Sequence, residues 1–164
     1  MTLELREFQP SDLSALQQML ELYQYELSDI WPQDADSHAR YGYNLERHIQ
    51  GERFFAHMAR YGSQYAGFAL VAPASVTRTD GHWMEQFFVL KRFRCAGTGR
   101  ALAEHVLRSH PGPWEVGQMP ANLAAQAFWR SVIRRIACGG FTELQVTAGW
   151  WQGVVQQFDV QAVA

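Results

Sequence analysis

Arg94-Cys95-Ala96-Gly97-Thr98-Gly99 lies between a strand-forming run, His82 to Leu90, and a helical pattern that opens at Arg100-Ala101-Leu102-Ala103-Glu104. Two glycines at such a junction let the backbone approach a ligand closely and adopt positive φ. The spacing predicts a helix from about Gly99 to Ser109. Its first N–H groups lack partners within the helix and point outward. Its dipole acts as roughly half a positive charge at that end. A pyrophosphate is the natural guest, and Arg94 and Arg100 are placed to add charge-assisted bonds to its oxygens. Two common phosphate loops are excluded. A P-loop ends in Gly-Lys-Ser/Thr, whereas Gly99 is followed by Arg100-Ala101. A dinucleotide fingerprint needs a third glycine where Leu102 stands, and this loop comes too late in the chain for a first βα turn.

Working outward, Leu3 to Phe8 alternates apolar and charged residues, the pattern of a half-buried strand. Pro10-Ser11-Asp12 offers a helix start, and Leu13, Leu16, Leu20, Tyr23 and Leu27 follow on one helical face. Pro32 and three aspartates break that pattern over 28–37, and a second, more polar helix is expected over 38–50. Phe54 to Arg60 and Gln64 to Val71 flank Gly62-Ser63 as in a hairpin. After a polar loop over 73–81, His82 to Leu90 forms the next strand. Downstream, Pro111-Gly112-Pro113 stops a helix and Trp114-Glu115-Val116 is a short strand. Asn122 caps a helix carrying Ala124, Ala127, Phe128 and Val132, which Cys138-Gly139-Gly140 ends. Phe141 to Thr147 and Val154 to Val160 close the order β-α-α-β-β-β-α-β-α-β-β. The expectation is one α/β domain over 1–164, with a central mixed, mostly antiparallel sheet of six to seven strands flanked by helices.

Composition narrows the function classes. Apolar residues make up 48% of the 164 and charged residues 18%, a globular balance. The net charge of -2 gives no electrostatic case for nucleic acid, whose partners carry a basic excess. The basic cluster Lys91, Arg92, Arg94 and Arg100 suits one small polyanion. Cys95 and Cys138 form no paired or metal-ligand spacing, and the six histidines show no zinc motif, so no metal is expected. Met1 to Glu7 lacks the layout of a signal peptide, and no apolar run approaches a membrane span. A cytoplasmic protein without a membrane partner is the expectation.

Arg94-x-x-Gly97-x-Gly99 resembles the Q/R-x-x-G-x-G/A motif of the GNAT superfamily of acetyl-CoA-dependent N-acetyltransferases. Its context strengthens the resemblance. Glu85-Gln86-Phe87-Phe88-Val89 precedes it like that superfamily's fourth strand. Asn122-Leu123-Ala124-Ala125-Gln126-Ala127-Phe128-Trp129 is similar to its N-x-x-A-x-x-F/L-Y motif, and Gly140-Phe141 to the Gly-Phe that follows. The likeness covers about 82–141 and is looser before that. It implies that Phe87, Phe88 and Val89 lend backbone groups to the pantetheine arm of acetyl-CoA. Arg94, Cys95, Ala96, Gly97, Thr98, Gly99 and Arg100 would hold the pyrophosphate. Asn122 would sit near the cofactor's middle, with Phe128 packed beside it. The thioester would lie where the fourth and fifth strands splay, near Val89 and Trp114 to Val116.

The resemblance also implies direct transfer of acetyl to a primary amine in a ternary complex. An alkylammonium has a pKa of about 10 and needs a base before it attacks. Glu85 is the first candidate and Glu115 the second; the competing reading of Glu85 is a strand glutamate on a solvated face. Trp129 stands where relatives carry a tyrosine, and an indole N–H only donates a hydrogen bond. That departure motivates an alternative, an acyl-CoA-binding sensor or interaction module without transferase activity. Tyr23, Tyr25, Asp29, Trp31, Asp34 and Asp36 form a candidate acceptor group, against core packing and a solvated loop. The other tryptophans are expected in core and edge packing. The acceptor, a small molecule or a peptide amine, stays open, and an exposed closing strand would allow a homodimer.

Overall fold

A computed structural model describes residues 1–163. Strands β1 (Leu3–Glu7), β2 (Phe55–Tyr61), β3 (Gln64–Pro73), β4 (His82–Val89), β5 (Gly112–Gln118), β6 (Phe141–Val146) and β7 (Gly153–Val160) form one sheet in the order β1-β2-β3-β4-β5-β7-β6. Every neighbouring pair is antiparallel except β4 with β5. The helices are α1 (Leu13–Leu27), α2 (Glu46–Gln50), α3 (Thr98–Ser109) and α4 (Leu123–Ile136). Element order agrees with the sequence expectation throughout.

Both faces of the sheet are covered. On one, Leu16, Met19 and Leu20 of α1 pack against Met58, Phe68, Leu70 and Phe88. On the other, Leu102, Ala103, Val106 and Leu107 of α3 meet Trp129, Val132 and Ile133 of α4 over Ala59, Ala69, Val71 and Trp114. β3 is buried from Ala66 to Ala72 because both layers press on it. A third cluster joins Ala72, Trp83, Trp151 and Val155. β7 inserts between β5 and β6, so the exposed closing strand is β6. Among the described residues no helix is long and apolar enough to cross a membrane.

The second helix is shorter than expected, five residues in place of 38–50. Asp36 Oδ1 accepts the N–H groups of His38 and Arg40, and Ala39 takes a φ of 57°. Glu21 of α1 then accepts the N–H groups of Tyr41 and Gly42, and Gly42 takes a φ of 72°. Side-chain capture and left-handed backbone compete with the helix until Glu46.

A buried carboxylate and a buried histidine cluster contribute to the acid response. Asp12, fully buried, accepts both arms of Arg6, the Gln9 N–H and the Tyr65 hydroxyl, and the Arg6 guanidinium holds its carboxyl down at about 2. His57 Nε2 lies 2.8 Å from His110 Nε2, with His82 and His105 alongside. Burial, helped by the neighbouring imidazoles, pushes His57 down to about 3 and His110 to about 4. All these values lie below the unfolded ones, so stability is lost as pH falls. The histidine contribution is complete above pH 6.5 and drains toward pH 3 to 4, whereas that of Asp12 drains between 3.8 and about 2. The urea midpoint should therefore decline from pH 7 downward. The double substitution His57→Leu/His110→Phe should flatten the pH 6.5–4 segment. An unchanged slope there would show that these imidazoles do not govern it.

Candidate active site

β4 and β5 pair at only two positions, His82 with Trp114 and Trp83 with Glu115, and then diverge. Among the described residues, the outer edge of β4 has no strand partner from Met84 onward. The Leu90 N–H donates to the Ala66 carbonyl, and a side chain at Gly67 would strike the Phe88 carbonyl, so Phe88 turns its backbone toward β3. Alternation then turns the backbone groups of Phe87 and Val89 into the gap. Arg94 Nε already donates to the Val89 carbonyl there, at 2.7 Å.

The loop after β4 makes a short turn at Lys91–Phe93 and continues extended through Arg94. Cys95 (φ 61°) and Gly97 (φ 85°) are left-handed, and α3 begins at Thr98. A Cβ at Gly97 would touch nothing within 4 Å, so glycine is required there for its φ and the outer side is open. A Cβ at Gly99 would sit 3.4 Å from the Phe128 ring and 3.7 Å from Val89. The N–H groups of Thr98, Gly99 and Arg100 are the first of α3 and have no acceptor one turn back. The Thr98 hydroxyl is buried against Tyr61 OH at 3.0 Å, so this residue presents backbone alone. Cys95, Ala96 and Arg100 are exposed.

Arg94 is placed otherwise than the sequence suggests. Its guanidinium forks onto Glu26 of α1 at 2.8 and 2.6 Å and holds that carboxyl below its usual range. Its bonds thus fasten the loop to α1 and β4, and the remaining exposed cations of the loop are Lys91, Arg92 and Arg100. Glu26 lies 68 residues away, and no local signal pairs the two.

The gap opens into a cleft of about 350 Å³. Its floor includes Phe87, Val116, Gly117, Gln118, Asn122 and Trp129. Asn122 caps α4 through its Oδ1, which accepts the Ala125 N–H. Phe128 packs behind the floor against Phe87, ring centres 5.6 Å apart, and does not line the cleft. Glu85 does line it. The β3–β4 register passes from Gln86 opposite Leu70 to Met84 opposite Val71, leaving Glu85 as the extra residue of a bulge. Met84 and Phe87 therefore face α3 and α4, while Gln86, bonded to Tyr43 OH, faces α1. Glu85 Oε2 touches His48 Nε2 without an aligned hydrogen bond, and Arg47 reaches Oε1 at 3.4 Å.

Glu115 is not in the cleft. It is fully buried, and its carboxylate accepts the N–H groups of Ser75, Val76 and Thr77 and the Thr77 hydroxyl. Of the N-terminal acceptor group, Tyr23 and Trp31 line the cleft, whereas Tyr25, Asp29, Asp34 and Asp36 are exposed outside it. Trp83, Trp150 and Trp151 are cleft walls as well as packing. The adjacent indoles Trp150-Trp151 between Gly149 and Gly153 are the signal that marks them. Tyr43 and His48 were hidden in the segment read as a polar helix. Among the described residues no cluster of His, Cys, Asp or Glu is arranged to hold a metal ion.

The acetyltransferase (GNAT) family model matches residues 16–132, and the chain belongs to that family. Acetyl transfer is thus its class of chemistry. Solved structures agree on the fold. The ribosomal-protein-S18-alanine N-acetyltransferase from Escherichia coli is 17% identical, with a TM-score of 0.62 over 99% of this chain and 96% of that one. An acetyltransferase from Thermus thermophilus reaches a TM-score of 0.70 at 14% identity over 98% of each. The PaiA N-acetyltransferase from Thermoplasma acidophilum, in complex with coenzyme A, gives 0.67 at 15% identity over 97% and 99%. No curated protein matches the chain in sequence.

Gly117 tests the shape of the cleft floor. An added Cβ would lie 2.5 Å from ring atoms of both Trp83 and Trp151. Gly117→Ala should cost about 1–3 kcal/mol through overpacking, measured by urea unfolding. An unshifted midpoint would mean that the two indoles are not wedged over this residue.

Proposed function

We propose that this protein transfers an acetyl group from acetyl-CoA to a primary amine by direct attack, with both substrates bound together. The observation that carries the proposal is the open outer edge of β4. It runs from the bulged carboxylate Glu85, which lines the cleft, to a loop that starts a helix with free N–H groups, so one strand edge connects the two. The residues present fit the cofactor. Left-handed Gly97 and the first N–H groups of α3, with Arg92 and Arg100 near, would hold the pyrophosphate. The gap-facing backbone of Phe87 and Val89 would hold the pantetheine arm as an added strand holds to a sheet edge.

Glu85 would take a proton from the ammonium, directly or through water. The freed nitrogen lone pair attacks the thioester carbonyl carbon, the C–S bond breaks, coenzyme A leaves as its thiolate, and the nitrogen, now bonded to the acyl carbon, gives up its second proton to water or to the departed thiolate. Holding both reactants in one cleft replaces a bimolecular encounter, and a backbone N–H near Val89 would polarise the carbonyl. A dedicated acid is not required of this chain. Burial raises the hydroxyl pKa values of Tyr23 and Tyr43, which makes both poor proton donors. Thiols have a pKa of about 8.5, so a thiolate departs without one.

The first test is thermal unfolding with and without acetyl-CoA, beside Gly97→Glu. Binding to the native state should raise the midpoint of the parent with ligand concentration. The substitution, which forces a side chain into left-handed backbone and a carboxylate into the anion loop, should abolish that shift. No shift in the parent at millimolar acetyl-CoA would sink the cofactor assignment. The second test is Glu85→Gln, which should lower kcat by roughly 100-fold or more while keeping the acetyl-CoA shift. Retained kcat would remove Glu85 from the base role. A shift without turnover of any amine would favour the acyl-CoA-binding module instead.

A further inference from the structure

The acceptor half of the cleft has a composition that selects among amines. This step rests on the proposal that the cleft receives the amine. Among the described residues, Glu85 is the one carboxylate that lines the cleft and no lysine or arginine lines it; Arg47 reaches Glu85 Oε1 at 3.4 Å from outside the lining. Above the floor, the indoles of Trp31, Trp83, Trp150 and Trp151 wall it. Trp83 stands edge-on to Trp151 at 5.2 Å and to Trp150 at 6.3 Å. Trp150 keeps 64% of its surface exposed, yet its Nε1 donates to the Ser75 carbonyl at 3.1 Å, which holds the ring at the cleft instead of leaving it free. Trp31, 45% exposed, stands in the segment that follows α1. Two large aromatic surfaces thus remain uncovered beside a single negative charge.

We infer that the acceptor is a small primary monoamine carrying a flat aromatic body. One carboxylate balances one ammonium. A polyamine or an aminoglycoside would set further ammonium groups against apolar walls with no counter-ion, at a desolvation cost. Asp29, Asp34 and Asp36 do not line the cleft and supply none. An amino acid would bring a carboxylate to a cleft without a lysine or arginine, and beside Glu85. The indole faces are matched by an aromatic ring through stacking, and by the ammonium through cation–π attraction. The cleft of about 350 Å³ also receives the thioester end of the cofactor on this reading, so the space left suits a small free amine.

A matched panel separates these elements. The acceptors are 2-phenylethylamine, tryptamine, butylamine (the same charge, no ring), L-phenylalanine (the same ring and amine plus a carboxylate) and spermidine. Each is assayed for thiol release from acetyl-CoA. Each is also assayed for quenching of tryptophan fluorescence with coenzyme A present, which reads binding without transfer. The two aromatic monoamines should exceed the other three in kcat/KM by about tenfold or more, and Trp150→Ala should raise their KM about tenfold with the KM for acetyl-CoA unchanged. Spermidine, L-phenylalanine or butylamine turned over as well as the aromatic amines would overturn the acceptor class and leave acetyl transfer standing. Preferential quenching by the aromatic amines without turnover would support the acceptor class and overturn acetyl transfer. The absence of both turnover and preferential quenching with the aromatic amines would overturn the acceptor class.

Discussion

The parallel contact between β4 and β5 is two residue pairs long. A longer ladder would zip the strands together and consume the backbone groups of Phe87 and Val89. Several features stop it after Trp83. The bulge at Glu85 bends β4 away from a straight course. Gly117 lacks a side chain, and the indoles of Trp83 and Trp151 occupy the space above it. At the closed end the strands are clamped. The Trp114 indole donates to the His110 carbonyl, and Glu115 gathers the backbone of 75–77. The sheet is pinned at one end and wedged open at the other. An unpaired strand edge is ordinarily a liability; on the proposed function, this one is where an extended ligand adds as a strand.

Charge is divided along this opening. The helix start and the exposed Arg92 and Arg100 lie at the loop end, and Glu85 lies in the cleft. Glu26 keeps the two ends coupled, since its pair with Arg94 draws the loop onto α1, whose Tyr23 and Gln24 are also cleft walls. The buried Gln118–Gln156 amide pair, extended to Glu143 and Arg130, stiffens the opposite wall. These bonds satisfy polar groups inside the protein, which leaves Glu85 as the carboxylate facing the cleft.

Much of the architecture was legible because the hydrophobic period changes cleanly from strand to helix around 90–100, and Gly and Pro mark most boundaries. The turn into α3 was legible for the same reason: left-handed backbone and a helix start leave a glycine signature at Gly97. The site's walls were not, because they depend on long-range events. Strand alternation alone cannot place Glu85, since an unmarked bulge changes the parity of everything before it. Arg94 reads as a free cation until α1 brings Glu26 beside it. Glu115 resembles a base by position and is consumed by a loop 40 residues earlier in the chain. Over 38–45, weak helical patterning lost to Asp36, Glu21 and the left-handed Gly42.

Trp129 is the departure with the largest consequence for mechanism. Its ring lies 5.0 Å from Phe87 and 5.2 Å from Phe128, so three aromatic rings brace the inner face of β4 where the backbone must stay straight. A tyrosine there would supply a hydroxyl; the indole supplies rigidity. On the proposed reaction the exchange is tolerable because the two proton transfers are unequal. The ammonium cannot react until it loses a proton, whereas the thiolate leaves without gaining one. A site of this kind needs one well-placed base and an aligned thioester, and the rigid aromatic floor contributes to the second requirement.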